Sequence, residues 1–155
     1  MSHLSREAEA DRILRAYGPE ELPEIMAMLE RQFAVLHNRA QVLLGLCGIV
    51  VTTTGFSGRL VAGTSAAAQW MIIVGVAMSL LAAAVVVWGV LHLYWLTMQP
   101  GETTRTWLLT SLAYRDKKTR AYRIGIILLL IGLTIYAGAL AIMLLYPRDN
   151  VVSAR

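Results

Sequence analysis

The sequence predicts an all-α integral membrane protein with three transmembrane helices, the first continuous with an N-terminal cytoplasmic amphipathic helix. Between Arg59 and Glu102 the chain runs 42 residues without an Asp, Glu, Lys or Arg, and charge-free runs of 19 and 24 residues flank this stretch. The 155 residues are 57% hydrophobic and 15% charged, whereas soluble domains average roughly 45–50% and about 25%. The excess of apolar residues lies in these runs and excludes an ordinary soluble domain.

The lengths of the three runs set the predicted spans. A hydrocarbon core about 30 Å thick is crossed by about 20 helical residues, so the outer runs predict spans at residues 40–58 and 124–146. In the central run, the glycine, serine and small residues from Gly63 to Ala68 are typical of an external turn. This leaves residues 69–97 as one long second span.

Basic residues set the orientation of these spans. Eleven Lys and Arg residues lie in the N-terminal segment 1–39 and the basic loop 98–123, and three lie on the other side. The positive-inside rule places both segments in the cytoplasm, so the membrane domain covers residues 40–147 and the tail 148–155 is external. In outline the chain resembles small bacterial membrane proteins in which a cytoplasmic helix leads into a few spans, which implies the bacterial inner (plasma) membrane.

The N-terminal segment predicts two helices. Ser5 followed by acidic residues is typical of a capped helix start, and Gly18 ends this first helix. A second helix is expected to begin near Glu20 and to enter the membrane near Arg39 without interruption.

Apolar residues of the second helix recur at alternating spacings of four and three, which is a heptad stripe. We interpret this stripe as an assembly seam between copies or subunits. The alternative is an amphipathic helix that lies on the membrane surface or on this chain's own loop, and the flanking positions carry no clear charge pattern that would decide between them. The predicted seam consists of Leu22, Met26, Leu29, Phe33 and Leu36, and the spacing continues to Ala40 and Leu43.

The loop between the second and third spans is strongly basic. Residues 98–123 have a net charge of plus four and residues 1–39 of minus two, so the two cytoplasmic segments are electrostatically complementary. The loop is therefore expected to bind either the acidic helix, in the same chain or in a neighbour, or anionic lipid headgroups. In the second case each cation near the membrane surface contributes about 1 kcal/mol to the binding free energy. The residues assigned to this lipid or partner contact are Arg115, Lys117, Lys118, Arg120 and Arg123.

The spans contain little that carries catalysis or transport. None has an acid, a Lys, an Arg or an internal proline, and ion-coupled transporters usually need such groups. Thr52, Thr53 and Thr54 form the most polar patch, whose hydroxyls either bond to carbonyls one turn earlier or line a pore or contact a quinol. Cys47 is expected to be a small apolar core residue. We predict no enzyme, no cofactor, no metal and no nucleic-acid partner.

Small residues at helix-packing spacing predict a tight three-helix bundle, because they let helix backbones approach closely. Most of these residues are expected to pack within one chain. The pairs are Gly45 with Gly48, Gly75 with Ser79, Gly125 with Gly132, and Ala137 with Ala141.

These patterns predict a non-enzymatic membrane protein that acts by assembly, as an accessory subunit of a larger membrane complex or as a homo-oligomeric scaffold. One alternative is an oligomeric channel or pore-forming effector, with the threonines in the conduction path. Another is a haem- or quinol-associated redox subunit, because His37 and His92 are expected at one depth and imidazole is a good axial ligand. A hydrogen-bonded interfacial pair or two unrelated surface histidines explain the same positions.

Overall fold

A computed structural model describes residues 5–18, 20–57, 65–91 and 103–145, and all regular secondary structure in these residues is helical. Three of the helices are long and apolar enough to cross a membrane. The predicted all-helical class is therefore confirmed. The elements are α1 (Arg6–Tyr17), α2 (Leu22–Phe56), α3 (Ala66–Val86), which continues as a π-helical turn (Val87–Leu91), and α4 (Thr104–Leu145).

Helix α1 begins and ends at the predicted residues. The Ser5 hydroxyl accepts a hydrogen bond of 3.3 Å from the backbone N–H of Ala8, which satisfies one of the free donors of the first turn. At the other end, Gly18 has a φ of 86°, a conformation that costs glycine little, and its N–H donates to the Leu14 carbonyl at 2.9 Å.

Helix α2 is continuous over 35 residues, from the polar N-terminal segment through the first apolar run. This confirms the prediction that no break separates the two. Its start at Leu22 places Pro23 in the first turn, where a missing backbone N–H costs nothing.

Helix α3 begins at Ala66, three residues before the predicted start at Gln69. The Ser65 hydroxyl accepts from the N–H of Ala68 at 3.3 Å, so serine caps the helix and the alanines, which have the highest helix propensity, form its first turn. The external turn predicted from Gly63 to Ala68 is therefore wrong at the alanines. The predicted end of this span at Thr97 lies outside the described residues.

Helix α4 covers 42 residues and includes most of the segment expected to be a loop. Residues 104–123 contain no Gly or Pro, so nothing in the sequence interrupts the helix between its start and the third apolar run. The hydroxyl of Thr103 accepts from the N–H of Thr106 at 3.3 Å and caps the start.

The chain forms two compact units. The charged unit consists of the described residues up to Gln41 and from Val86 to Arg123, and the apolar unit consists of those from Val42 to Val85 and from Ile124 onward. Each unit has its own buried cluster. In the charged unit this is Ala10, Ile25, Leu29, Leu108 and Leu112, and in the apolar unit it is Val50, Ile72, Tyr136 and Ala139.

Candidate functional site

A two-point ion pair joins α1 to α4 within the charged unit. Two guanidinium nitrogens of Arg115 donate to the two carboxylate oxygens of Glu9, at 2.7 and 2.8 Å. Such a paired arrangement is stronger and more directional than a single charged hydrogen bond. Arg115 also donates to the Gln32 side chain on α2 at 3.2 Å and to Asp116 at 3.1 Å, so one side chain connects three helices.

Further ion pairs lie on either side of this contact. Arg105 donates to one carboxylate oxygen of Asp11, at 3.1 Å from Nη2 and 3.2 Å from Nε. Arg6 lies 3.2 Å from Asp116. These three pairs, together with Gln32, form what we call the charge cluster. They show that the basic segment of α4 contacts α1 of the same chain. Two of the pairs join an arginine of α4 to an acid of α1, and the third joins Arg6 of α1 to Asp116 of α4.

The members of the charge cluster differ in how far solvent reaches them. The side chain of Arg115 is 20% exposed and that of Glu9 is 29% exposed, whereas Arg105 and Arg6 are more than half exposed. The pKa of Arg115 is raised above its ordinary value, chiefly by the hydrogen bonds to Glu9 and further by Asp116, against the opposing effect of burial. The Glu9 pair is therefore the centre of the cluster.

An apolar core lies beneath these ion pairs. Ala10 of α1, Ile25 and Leu29 of α2, and Leu108 and Leu112 of α4 are all fully buried. Ser111, on the same helix, is also fully buried, and its hydroxyl has no hydrogen-bond partner in the described part of the chain. The charge cluster thus caps a small hydrophobic core that three helices share.

The structure places the five residues of the predicted seam in different environments. Leu29 is fully buried in the core of its own chain, and Phe33 packs against that core. Met26 and Leu36 are half-buried, and Leu22 is 38% exposed. Contact between this stripe and another chain stays a prediction, and its middle already packs inside the charged unit.

The basic residues assigned to a lipid or partner contact also separate into two groups. Arg115 belongs to the charge cluster, and the Lys118 ammonium donates to the backbone carbonyl of Val90 at 2.7 Å. Lys117, Arg120 and Arg123 are exposed. They remain available for an external anion.

Lys118 occupies a site that the sequence did not indicate. Its ammonium lies 4.8 Å from the ring centre of Tyr114 and 5.8 Å from that of Phe33, within the range of cation–π attraction. The carbonyl it bonds belongs to the π-helical turn, where the ordinary helical hydrogen bonds are shifted by one residue. Gly89 in this turn lies so close to Ala121 of α4 that a Cβ at Gly89 would overlap it.

In the apolar unit, α3 and α4 cross at two glycines. A Cβ at Gly75 would lie 2.9 Å from the Gly132 carbonyl oxygen, and a Cβ at Gly132 would lie 2.9 Å from the Gly75 carbonyl oxygen. The buried Ser79 donates to the Gly75 carbonyl at 3.0 Å, and a Cβ at Gly132 would lie 3.2 Å from the Ser79 hydroxyl oxygen. Of the predicted small-residue pairs, Gly45 with Gly48 and Ala137 with Ala141 are instead exposed.

The three threonines donate to the backbone of their own helix. Thr52, Thr53 and Thr54 each bond to the carbonyl four residues earlier, at 2.8, 2.7 and 2.8 Å. The hydroxyls of Thr54 and Tyr136 also lie 3.3 Å apart. This is the first of the two arrangements the sequence allows, and it leaves these hydroxyl protons engaged rather than directed into a pore.

Only one of the two candidate haem ligands can be located. The Nε2 atom of His37 lies 3.2 Å from the Gln41 side-chain nitrogen one turn later, and His37 is exposed. His92 lies outside the described residues. Among the residues that the structure describes, no group of three or more His, Cys, Asp or Glu side chains could hold a metal ion.

The comparisons with known proteins identify no relative. No family model matches the chain, and no curated protein or solved structure is significantly similar to it.

Proposed function

We propose that this chain is a multi-pass protein of the bacterial inner membrane that acts by assembly rather than by catalysis, as a homo-oligomeric scaffold or an accessory subunit of a larger complex. One observation carries the proposal. In the most apolar 18-residue windows of α2, α3 and α4, 22%, 28% and 22% of the residues are buried within the chain. The remaining apolar surface needs lipid or other protein to cover it, because large exposed apolar patches mark such contacts.

The charge cluster supports the non-catalytic part of the proposal. Its arginines and carboxylates pair with one another and join helices, and the raised pKa of Arg115 keeps its guanidinium charged. A general acid or base needs a pKa near the working pH. The cluster is better suited to holding α1 against α2 and α4 than to transferring protons.

The proposed orientation has the N-terminus and the charged unit in the cytoplasm and the C-terminus outside. Within it, Lys117, Arg120 and Arg123 contact anionic lipid headgroups. These three cations are exposed and belong to the half of α4 that precedes the third apolar run. The positive-inside rule favours this side for them, and their charge complements phosphate.

The wild-type protein in its native membrane tests the assembly proposal directly. Chemical cross-linking in native membranes, followed by native mass spectrometry in mild detergent, should give an oligomer or a complex with other membrane subunits. A lone monomer in both measurements contradicts the proposal. Labelling of single cysteines introduced at Arg12 and at Val151 tests the orientation, since only the first should react from the cytoplasmic side.

The lipid contact has its own test. The triple variant Lys117→Gln, Arg120→Gln, Arg123→Gln should retain fewer phosphatidylglycerol adducts in native mass spectrometry than the wild type does. A matched control is the triple variant Arg12→Gln, Arg15→Gln, Arg31→Gln, which removes three exposed cations from α1 and α2. Equal adduct numbers in the two variants would show that these three residues have no special role.

A further inference from the structure

Helix α1 makes a small apolar contact with the rest of the charged unit. Of its twelve described residues, Ala10 alone is fully buried, and Ile13 and Leu14 pack partly against the same core. The four other buried residues of that core belong to α2 and α4. A helix of about 12 residues is marginal in water by itself. Helix α1 therefore depends on its contacts with α2 and α4, and the apolar part of those contacts is small.

The charge cluster joins α1 to α4 at three points along α1. Both partners of the Arg6 pair and of the Arg105 pair are 41% to 56% exposed, whereas those of the Glu9 pair are 20% and 29% exposed. Dissolved ions reach exposed pairs and screen their attraction. Two of the three attachment points are therefore open to the salt of the surrounding solution.

The long-range attraction between the two segments is also electrostatic. Residues 1–39 carry a net charge of minus two and residues 98–123 of plus four. The distance over which such charges attract falls from about 10 Å at about 0.1 M salt to about 3 Å at about 1 M. Apolar contacts are not screened in this way. Added salt therefore weakens the attachment of α1 more than the contact between α2 and α4.

The connection between α1 and α2 lets α1 leave as a unit. Four residues, 18–21, separate the two helices, and the first of them is Gly18, whose backbone adopts many conformations at little cost. The first turn of α2 has its own hydrogen bond, from the Ile25 N–H to the Glu21 carbonyl at 3.2 Å. Release of α1 therefore leaves α2 intact.

We propose that α1 is a strap whose attachment depends on ionic strength. At low salt it covers the core that α2 and α4 form in the charged unit, and at high salt the ion pairs weaken and α1 leaves that core. Helices α2 and α4 stay together, because Ile25 and Leu29 of one pack with Leu108 and Leu112 of the other. In the proposed orientation the charged unit lies in the cytoplasm, so the strap responds to the cytoplasmic concentration of ions.

This regulation goes beyond the proposed assembly function and does not depend on it, since every contact involved lies within one chain. Release of α1 uncovers apolar side chains that are fully buried while α1 is docked. The docked and released states therefore present different surfaces to other molecules.

Hydrogen exchange of the full-length protein tests the strap. In nanodiscs of phosphatidylcholine, which has no net charge, protection of the amides of Arg6–Tyr17 should fall about tenfold as KCl rises from about 0.1 M to about 1 M. Protection of Ala66–Val86 should stay constant and shows that the apolar unit remains folded. Sucrose at the same osmolarity adds no ions and should not lower the protection of α1. Equal protection of α1 at both KCl concentrations would overturn the proposal.

Two matched variants separate the ion pairs from the overall charge. Glu9→Gln with Asp11→Asn removes both paired acids of α1, so α1 should exchange fast at either KCl concentration. Glu7→Gln with Glu20→Gln removes the same charge at exposed positions and should keep the full salt response. A salt response that persists in the first variant, or that disappears in the second, would show that these ion pairs do not control the release of α1.

Discussion

Arg115 and Glu9 are 106 residues apart in the chain and are joined by two hydrogen bonds of 2.7 and 2.8 Å. This pair fixes α1 to α4 directly above the buried core of the charged unit. Without it, α1 would be held by the more exposed pairs of Arg105 and Arg6 and by the packing of its apolar side chains on that core. These side chains are Ala10, Ile13 and Leu14. Exposed ion pairs contribute little to stability.

Replacing Glu9 by Gln should therefore release α1. The substitution removes the charge and one of the two paired acceptors, and we expect a loss of about 1–2 kcal/mol in the free energy of unfolding, reduced by partial solvent access. Thermal unfolding and tryptic cleavage after Arg12 and Arg15 measure the effect. Glu7→Gln, an exposed acid on the same helix, is the control and should change neither.

The stability that the Arg115–Glu9 pair contributes should depend on salt concentration, and Arg115 should not make it depend on pH near neutrality. A raised arginine pKa gives stability that is present below the ordinary pKa and is lost only as the pH rises through the raised value in the folded protein. Arg115 should contribute no slope to a plot of stability against pH between about pH 6 and pH 9. A transition in this range that disappears in Arg115→Lys would contradict this assignment.

Ser111→Ala should stabilise the charged unit. The Ser111 hydroxyl is buried without a hydrogen-bond partner in the described residues, and an unsatisfied buried polar group costs about 1–3 kcal/mol. Alanine removes that cost and leaves a very small space. We expect a rise of up to about 1 kcal/mol in the free energy of unfolding. Thr110→Ala, whose hydroxyl donates to the Thr106 carbonyl at 3.0 Å, should show no such gain.

Gly132→Ala should separate α3 from α4. The new Cβ would lie 2.9 Å from the Gly75 carbonyl oxygen and 3.0 Å from the Met78 Cβ, and backbone cannot move aside as a flexible side chain can. Overpacking of this kind costs about 1–3 kcal/mol. The control is Gly138→Ala on the same helix, where the new Cβ meets the mobile end of Met71 at 3.1 Å. A similar loss of thermal stability in both variants would argue against backbone crowding at Gly132.

Phe33→Ala should destabilise the charged unit more than Leu22→Ala does, although both residues belong to the predicted seam. Phe33 packs against the core and its ring centre lies 5.9 Å from that of Tyr114, whereas Leu22 is 38% exposed. For a half-buried aromatic ring we expect a loss of about 2 kcal/mol, below the cost at a fully buried site. If Phe33→Ala instead leaves the unfolding of the monomer unchanged and reduces oligomer size, the seam interpretation gains support.

Much of the helical framework could be predicted from the sequence because charge-free runs and cap residues act locally. Ser5 and Gly18 end α1 where expected, and α2 runs unbroken as predicted. The start of α3 at Ala66 differs from the prediction because alanine is small, as turn residues often are, but is also the best helix former.

The candidate site was harder to predict because it depends on which helix faces meet. Helix α2 has a heptad stripe, and period alone cannot say whether Leu29 in that stripe faces its own chain or another. Net charges indicated that the acidic and basic segments attract, but the choice of Arg115 over Lys117 for Glu9 depends on the register of α4 against α1. The contacts of Lys118 required the π-helical turn, for which we find no sequence signal.

The hydrogen bonds of the three threonines change how the hydropathy of α2 is to be understood. Its most apolar window has a mean hydropathy of 1.5, against 2.6 for the other two long helices, and the three threonines lower the hydropathy of the turns that follow. A hydropathy scale counts each hydroxyl as a group that water must solvate. Here each hydroxyl already donates to a backbone carbonyl at 2.7 or 2.8 Å. Moving the helix from water into lipid therefore breaks few hydrogen bonds between these hydroxyls and water. Helix α2 therefore enters lipid more favourably than the hydropathy of its residues indicates.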